Sequence, residues 1–210
     1  VGAEVFHARY MSLPLEVPDA RYRKTTATLS GDEGTHETTR DELDTLKPIK
    51  QDGTVTSGGQ THPADGNAAM VVTSRDRALS LSRDPSVEIC VKGFGTARVE
   101  KAFMPYAPVP AAQHALDDAD ISLEKIDAVK THNPFAVNDI VFSRETGRDV
   151  MTMNNFGCSL VWGHPHAATG LRSVIELIEE LTQRGGGTGL FTGCAAGDTA
   201  MAVVVEVGDA

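Results

Sequence analysis

The stretch from Thr169 to Gln183 constrains the architecture more than any other part of the chain. Leu171, Val174, Ile175, Ile178 and Leu181 recur at helical spacing, so one face of a helix is apolar and needs a surface to lie on. Arg184-Gly185-Gly186-Gly187 stops that helix. Two β-rich segments follow, Gly189 to Thr192 and Ala200 to Val207. The short turn between them predicts an antiparallel pair at one end of a sheet.

The same alternation holds upstream. Val87 to Gly93 reads as a strand. Val109 to Asp118 reads as a helix, with Pro110 in its first turn and Ala112, Ala115, Leu116 and Ala119 on one face. Ile126 to Lys130 reads as a short strand, and Pro134 to about Glu145 as a helix. Helices between strands, with strands at the end, give an α/β sandwich. Before this block, the glycine-rich Gly53 to Gly59 feeds a buried strand at Ala68 to Val72, and Ser74 caps a helix from Arg75 to about Leu81. The first 60 or so residues are polar and irregular. Leu13 to Pro18 reads as extended, and Thr39 caps a short helix carrying Leu43 and Leu46 that ends before Pro48. Such a segment buries little surface alone.

Charge and cysteine usage narrow the class. The formal net charge of -10 and the lack of a basic run argue against phosphate-backbone binding. Three cysteines, none in a Cys-x-x-Cys pair, read as reduced and cytoplasmic. No apolar run reaches a membrane span, and the first residues lack the pattern of a secretory signal.

Two turns carry chemistry. His164 stands in Gly163-His164-Pro165 just before the periodic helix, and Cys194 stands in Gly193-Cys194-Ala195-Ala196-Gly197. An imidazole titrates near neutrality, and a thiol can be tuned toward it. The bland alternatives are a loop histidine bonded to backbone and a small packed cysteine. His132, just before a helix, could equally be a cap for orphan amides. Cys158 lies six residues before His164, so a Cys/His nucleophile pair is a further option. His164, His166, Cys158 and Cys194 match no recognised zinc spacing, and no metal is expected. Gly185 to Gly187 ends a helix rather than opening a phosphate loop. Asp117, Asp118 and Asp120 read as a solvated helix end.

These motifs together resemble the thiolase superfamily. Within Asn155 to Gly170, the residues from Gly157 resemble the Gly-Gly-x-x-x-x-Gly-His-Pro-x-Gly-Ala-[Ser/Thr]-Gly of the family's signature. Gly193 to Glu206 resembles the C-terminal Cys-x-Gly segment and last strand. His132-Asn133-Pro134-Phe135-Ala136 resembles the Asn-Glu-Ala-Phe motif in the His-first form of sterol-carrier-type thiolases. Gly53 to Gly58 with Asp65-Gly66, and Pro108 to Ala111, resemble the pantetheine-channel segment and the Gly-Pro-Val-Pro-Ala turn.

The resemblance runs from about Met11 and covers only the C-terminal half of a thiolase. It implies an α/β fold within the layered α-β-α-β-α arrangement: a C-terminal half-domain with a mixed five-stranded sheet, plus part of the loop domain. Residues 1–58 would be that partial loop domain. Residues 59–85 would be the last strand and helix of the N-terminal core, and 86–210 the C-terminal core.

The resemblance also assigns roles. Cys194 would be the acid/base that moves the α-proton of a thioester. His164 would activate a nucleophilic cysteine held by a partner, an N-terminal-half subunit, and help bind the enolate oxygen. His132 would polarise the thioester oxygen, with the Ala196 amide, His132 and His164 forming the oxyanion holes. Thr61, Phe135, Cys158 and His166 would line the CoA and acyl channel. Coenzyme A would be a substrate, with no further cofactor, and the complex a heterotetramer or larger. The chain departs from the pattern at Cys158 (for Gly), His166-Ala167 (for apolar-Gly) and Ala196 (for Gly). Two other readings stay open: a non-catalytic acyl-CoA-binding scaffold, and a ketosynthase-like condensing enzyme.

Overall fold

A computed structural model describes residues 14–35 and 37–209, in two compact units, 1–58 and 59–210. The expectations placed on residues 1–13, including the Leu13 end of the extended stretch and the reading of the N-terminus, lie outside the described residues.

In the first unit, β1 (Leu15–Pro18) and β2 (Thr25–Leu29) form an antiparallel hairpin. The short helix α1 (Arg40–Asp44) starts at Thr39 with a reciprocal cap. Thr39 Oγ1 accepts the Glu42 amide, and the Glu42 carboxylate accepts the Thr39 amide at 2.9 Å. Its side chains are mostly exposed, as expected of a segment too polar to hold a core.

The second unit carries the core. Helix α2 (Arg75–Leu81) precedes a four-stranded sheet. In spatial order its strands are β3 (Val87–Arg98), β6 (Thr199–Asp209), β5 (Gly187–Ala195) and β4 (Ala128–His132). The β3–β6 and β6–β5 pairs are antiparallel, and β5–β4 is parallel. Helices α3 (Pro108–Asp118) and α4 (Ala136–Thr146) cover one face. Helix α6 (Thr169–Gln183) covers the other, after a single turn, α5 (Ser159–Trp162).

Strand alternation sorts the core into two clusters. Val129, Leu190, Ala202 and Val204 meet the alanine face of α3 and Phe142 of α4. Ala128, Phe191, Val205 and Val207 meet Leu177, Ile178 and Leu181 of α6. The small residues of α3 let it lie almost on the backbone of β3. A Cβ at Gly95 would stand 2.3 Å from the Ala111 carbonyl oxygen and 2.5 Å from the Ala115 nitrogen.

Helix α6 has the limits its periodicity predicts, but its buried face is not the predicted stripe. Leu171 is exposed, while Glu176, Glu179 and Glu180 are buried. The carboxylates of Glu176 and Glu180 meet basic partners, described below for Glu176, and these matter more than hydropathy at those positions. Three further expectations are corrected. The sheet has four strands rather than five. The antiparallel pair β5–β6 lies inside the sheet rather than at one end, because β3 pairs onto the free edge of β6. Ala68 to Val72 has no strand ladder, and Val71 and Val72 are each 77% exposed. Without a neighbouring strand an extended segment has no partner for its amides. The other boundaries shift by a few residues. The largest shift is in β3, which runs on through Gly93 and Gly95 to Arg98 because those glycines admit α3. Among the described residues, no helix is long and apolar enough to cross a membrane.

A glycine inside a strand ordinarily gains stability on change to alanine. At Gly95 the sign reverses, because the new methyl meets backbone rather than a movable side chain. Gly95→Ala is expected to lower unfolding stability by about 2–3 kcal/mol, whereas Gly208→Ala, with no atom within 4 Å of its Cβ, leaves it unchanged or raised. Urea denaturation of both variants checks the contrast.

Candidate active site

The sequence-marked residues gather at the C-terminal ends of the parallel strands β4 and β5, the edge where α/β sheets place ligands. His132 is the last residue of β4, and its register partner in β5 is Gly193. A Cβ on Gly193 would stand 2.9 Å from His132 Cβ, so the glycine leaves the imidazole its place. Cys194 follows Gly193. Alternation turns it to the other face, where its Sγ takes a hydrogen bond from Asn138 Nδ2 of α4 at 3.4 Å.

His164 reaches His132 from a separate loop. Gly163 has φ +78°, and a Cβ there would stand 2.8 Å from His62 Nε2 and 2.7 Å from Ala64 Cβ. Only glycine passes that point without strain. The His164 amide donates to the His62 carbonyl at 2.9 Å, which ties the turn to residues 60–64. The ring centroids of His132 and His164 are 4.4 Å apart, and those of His164 and His166 are 4.3 Å apart. Three imidazoles thus stand in a row, from a buried one to an exposed one.

Beneath the row lies a buried charge cluster. Ala128, Lys130 and His132 share the α6 face of β4. Lys130 Nζ is 2.5 Å from Glu176 Oε2 and donates to the Gly157 carbonyl at 2.5 Å. Arg172 Nε is 3.4 Å from Glu176 Oε1, and Nη1 donates to the Gly163 carbonyl at 3.3 Å. One carboxylate therefore holds two cations, and each cation grips a loop carbonyl on either side of α5.

The electrostatics follow from this setting. Burial, then the neighbouring His164, Arg172 and His166, pushes His132 down to about 3. Burial, then His166 and Arg172, also lowers His164. Both rings are neutral at neutral pH, each with one N–H and one bare nitrogen. Thr169 Oγ1 donates its one proton to the Pro165 carbonyl at 3.0 Å and lies 2.8 Å from His164 Nδ1. That hydroxyl can then only accept from the ring. His164 carries its proton on Nδ1 and offers Nε2 as a base. Burial pushes the Cys194 thiol up to about 11, against the Asn138 hydrogen bond, so it rests protonated.

The remaining expected residues divide. Thr61 donates to the Ser159 carbonyl, so its hydroxyl is used within the fold. Phe135 is half-buried at the start of α4 and bridges to Gln60. Cys158 is half-buried at the N-cap of α5 and makes no hydrogen bond to His164. Ala196 lies exposed in the β5–β6 turn, two residues past Cys194. His132 does not cap α4; its Nδ1 bonds Ser159 Oγ instead. No hydrogen bond links His164 directly to Cys194, and the path between them runs through His132 and Gly193. Among the described residues, no three His, Cys, Asp or Glu side chains form a metal-ligand group. Nothing in the sequence marked His62, Lys130, Asn138, Ser159 or Glu176. For Lys130 one signal was available: it alternates with His132 on a short strand.

A histidine kept neutral by burial binds fewer protons folded than unfolded. Its contribution to stability is therefore intact above pH 6.5 and is lost as the pH falls toward 3. Wild-type stability is expected to carry a slope of up to about 1.4 kcal/mol per pH unit below 6.5 from this group. His132→Asn removes that part of the slope. Urea titrations at pH 7 and pH 5 measure it; equal slopes in both proteins would show that His132 is not held neutral.

Comparison with known proteins identifies the family. Residues 86–207 match the family model described as thiolase, C-terminal domain. The chain is 31% identical over 195 residues to human mitochondrial 3-ketoacyl-CoA thiolase, covering 92% of this chain and 48% of that protein. It is 34% identical over 169 residues to an acetyl-CoA acetyltransferase of Pseudomonas aeruginosa, covering 80% of this chain and 42% of the relative. The solved Bacillus anthracis acetyl-CoA acetyltransferase superposes with a TM-score of 0.85 at 29% identity, over 97% of this chain and 51% of that one. The chain thus spans about half the length of the relatives it matches. With the family's C-terminal domain lying across the strands that carry His132 and Cys194, this chain belongs to the thiolase family.

Proposed function

We propose that this chain is the acid–base half of a CoA-dependent thiolase, which cleaves 3-oxoacyl-CoA with CoA or runs the reverse Claisen condensation. A partner subunit, equivalent to a thiolase N-terminal half, supplies the nucleophilic cysteine. The observation that carries the reading is the adjacency at the sheet edge. A thiol on Cys194 and an imidazole on His132 lie at the ends of neighbouring strands, and His132 packs at a tilt against the Nδ1-protonated His164.

Each group then has a task. His164 Nε2 takes the proton of the partner's thiol, and the thiolate attacks the 3-oxo carbonyl. As the C2–C3 bond breaks, the leaving enolate takes a proton from the Cys194 thiol, which is resting in the protonated form that donation requires. The Cys194 thiolate next removes the proton from incoming CoA. CoA then attacks the enzyme-bound acyl group and frees the partner's sulfur. His132 and the Ala196 amide serve the thioester oxygen. Coenzyme A is a substrate here, held with its acyl chain along Thr61, Phe135, Cys158 and His166.

The exposed surface supports a partner. Phe94, Val91, Ile89 and Met201 are exposed on β3 and β6, beyond the reach of α6, and Val71 and Val72 are exposed without a ladder. An uncovered apolar sheet face marks an interaction surface. It fits an N-terminal thiolase core, and the paired halves assemble further into a heterotetramer or larger.

Mixing the chain with such a half, acetoacetyl-CoA or a longer 3-oxoacyl-CoA, and CoA tests the reading. Cleavage is expected only with both chains, and Cys194→Ala and His164→Ala are each expected to lose about 10²–10⁴-fold in rate. Turnover by this chain alone would refute the partner. Binding of acyl-CoA by an inert wild-type pair would leave a scaffold.

A further inference from the structure

Every polar group of Ser159 is held, two of them by the end of β4 and one by the segment at Thr61. Its amide donates to Asn133 Oδ1 at 3.0 Å, its carbonyl accepts from Thr61, and its Oγ lies 2.8 Å from His132 Nδ1. Asn133 cannot turn to release the amide, because its Nδ2 donates to Asp139 Oδ2 at 2.6 Å. Asp139, buried on α4, is fixed in turn by Thr131 at 2.5 Å and by Asn154 at 3.3 Å. A path of hydrogen bonds therefore runs from the helix α4 carboxylate through Asn133 and Ser159 to one nitrogen of His132.

The direction of the last bond follows from proton count. Ser159 is 1% exposed, and among the described residues its hydroxyl has one partner, the imidazole. If Nδ1 carried the ring proton, the hydroxyl would accept it and its own buried proton would have no acceptor. If the hydroxyl donates, its proton and Nδ1 are both satisfied and the ring proton sits on Nε2. The contrast with His164 is direct: Thr169 spends its proton on a carbonyl and must accept from its histidine, while Ser159 has no carbonyl to serve and gives its proton to its histidine.

We propose that Ser159 is a positioning residue that, anchored by Asp139 and Asn133, locks His132 as the Nε2–H tautomer, opposite to that of His164, so that two neighbouring imidazoles divide into a hydrogen-bond donor and a base. The use of this division for a thioester oxygen rests on the thiolase reading above; the lock itself does not.

Long-range ¹H–¹⁵N correlation spectra of the ¹⁵N-histidine-labelled full chain at pH 7.5 read both tautomers directly, with His132→Gln and His164→Gln assigning the signals. Wild type is expected to show His132 with its proton on Nε2, an Nδ1 resonance displaced by an accepted hydrogen bond, and His164 with its proton on Nδ1. Ser159→Ala is expected to lose the displacement at His132 and leave His164 unchanged. In the assembled enzyme the same variant is expected to lower kcat about tenfold, with KM for CoA unaltered. An Nδ1–H signal for His132 in wild type overturns the proposal without any variant. A Ser159→Ala spectrum identical to wild type also overturns it. The expected spectra from a wild-type pair that shows no thiolysis support the lock and remove the functional reading instead.

Discussion

The site depends first on two charges taken out of water. Lys130 is 0% exposed, and Glu176, which it meets at 2.5 Å, is also fully buried. Desolvating such a pair costs several kcal/mol per ion, so it persists only where the remaining protons and lone pairs are used. Here one donor of each cation is used to hold a loop. Lys130 binds the Gly157 carbonyl, Arg172 binds the Gly163 carbonyl, and Glu176 binds both cations. Strand β4, helix α6 and the segment between Gly157 and Gly163 are thereby fixed to one another by directional bonds rather than by apolar contact alone. A hydrophobic replacement could match the volume. It could not dictate where the His164 turn stops relative to His132.

The edge of the sheet also separates the chemistry by face. His132 points to the α6 side and Cys194 to the α4 side, and the step of one residue past Gly193 is what parts them. The thiol is thus kept in an apolar, amide-lined place that favours its protonated form. The imidazoles share the more polar side with Arg172. A carbonyl compound lying across the strand ends would meet a proton donor from one side and imidazoles from the other.

Much of this was legible beforehand. Helix α6 has the limits set by its periodicity and its glycine stop, and the motifs around His132, His164 and Cys194 led to the family and to the strand ends. What escaped the sequence has a common cause. The buried face of α6 includes Glu176 and Glu180 because of cations 46 and 4 residues away in the chain, Lys130 and Arg184; helical spacing offers the second, but nothing local announces Lys130. Ser159 carries no mark of its own in the sequence; only the His132 ring against its hydroxyl distinguishes it. Ala68 to Val72 has the composition of a strand, but a strand is a property of a pair, and this segment has no neighbour here.

Strand β6 is the last of the four in sequence and lies between two others, so β3 and β5 are joined only through it. Its pairing with β3 links residues more than a hundred positions apart, from Arg98 with Thr199 to Val87 with Asp209. During vectorial synthesis the alanine face of α3 therefore emerges from the ribosome long before the sheet that covers it can close. Over that interval β3 lacks its partner in this sheet, and the nascent segment stays exposed to chaperones and to mispairing until β6 arrives.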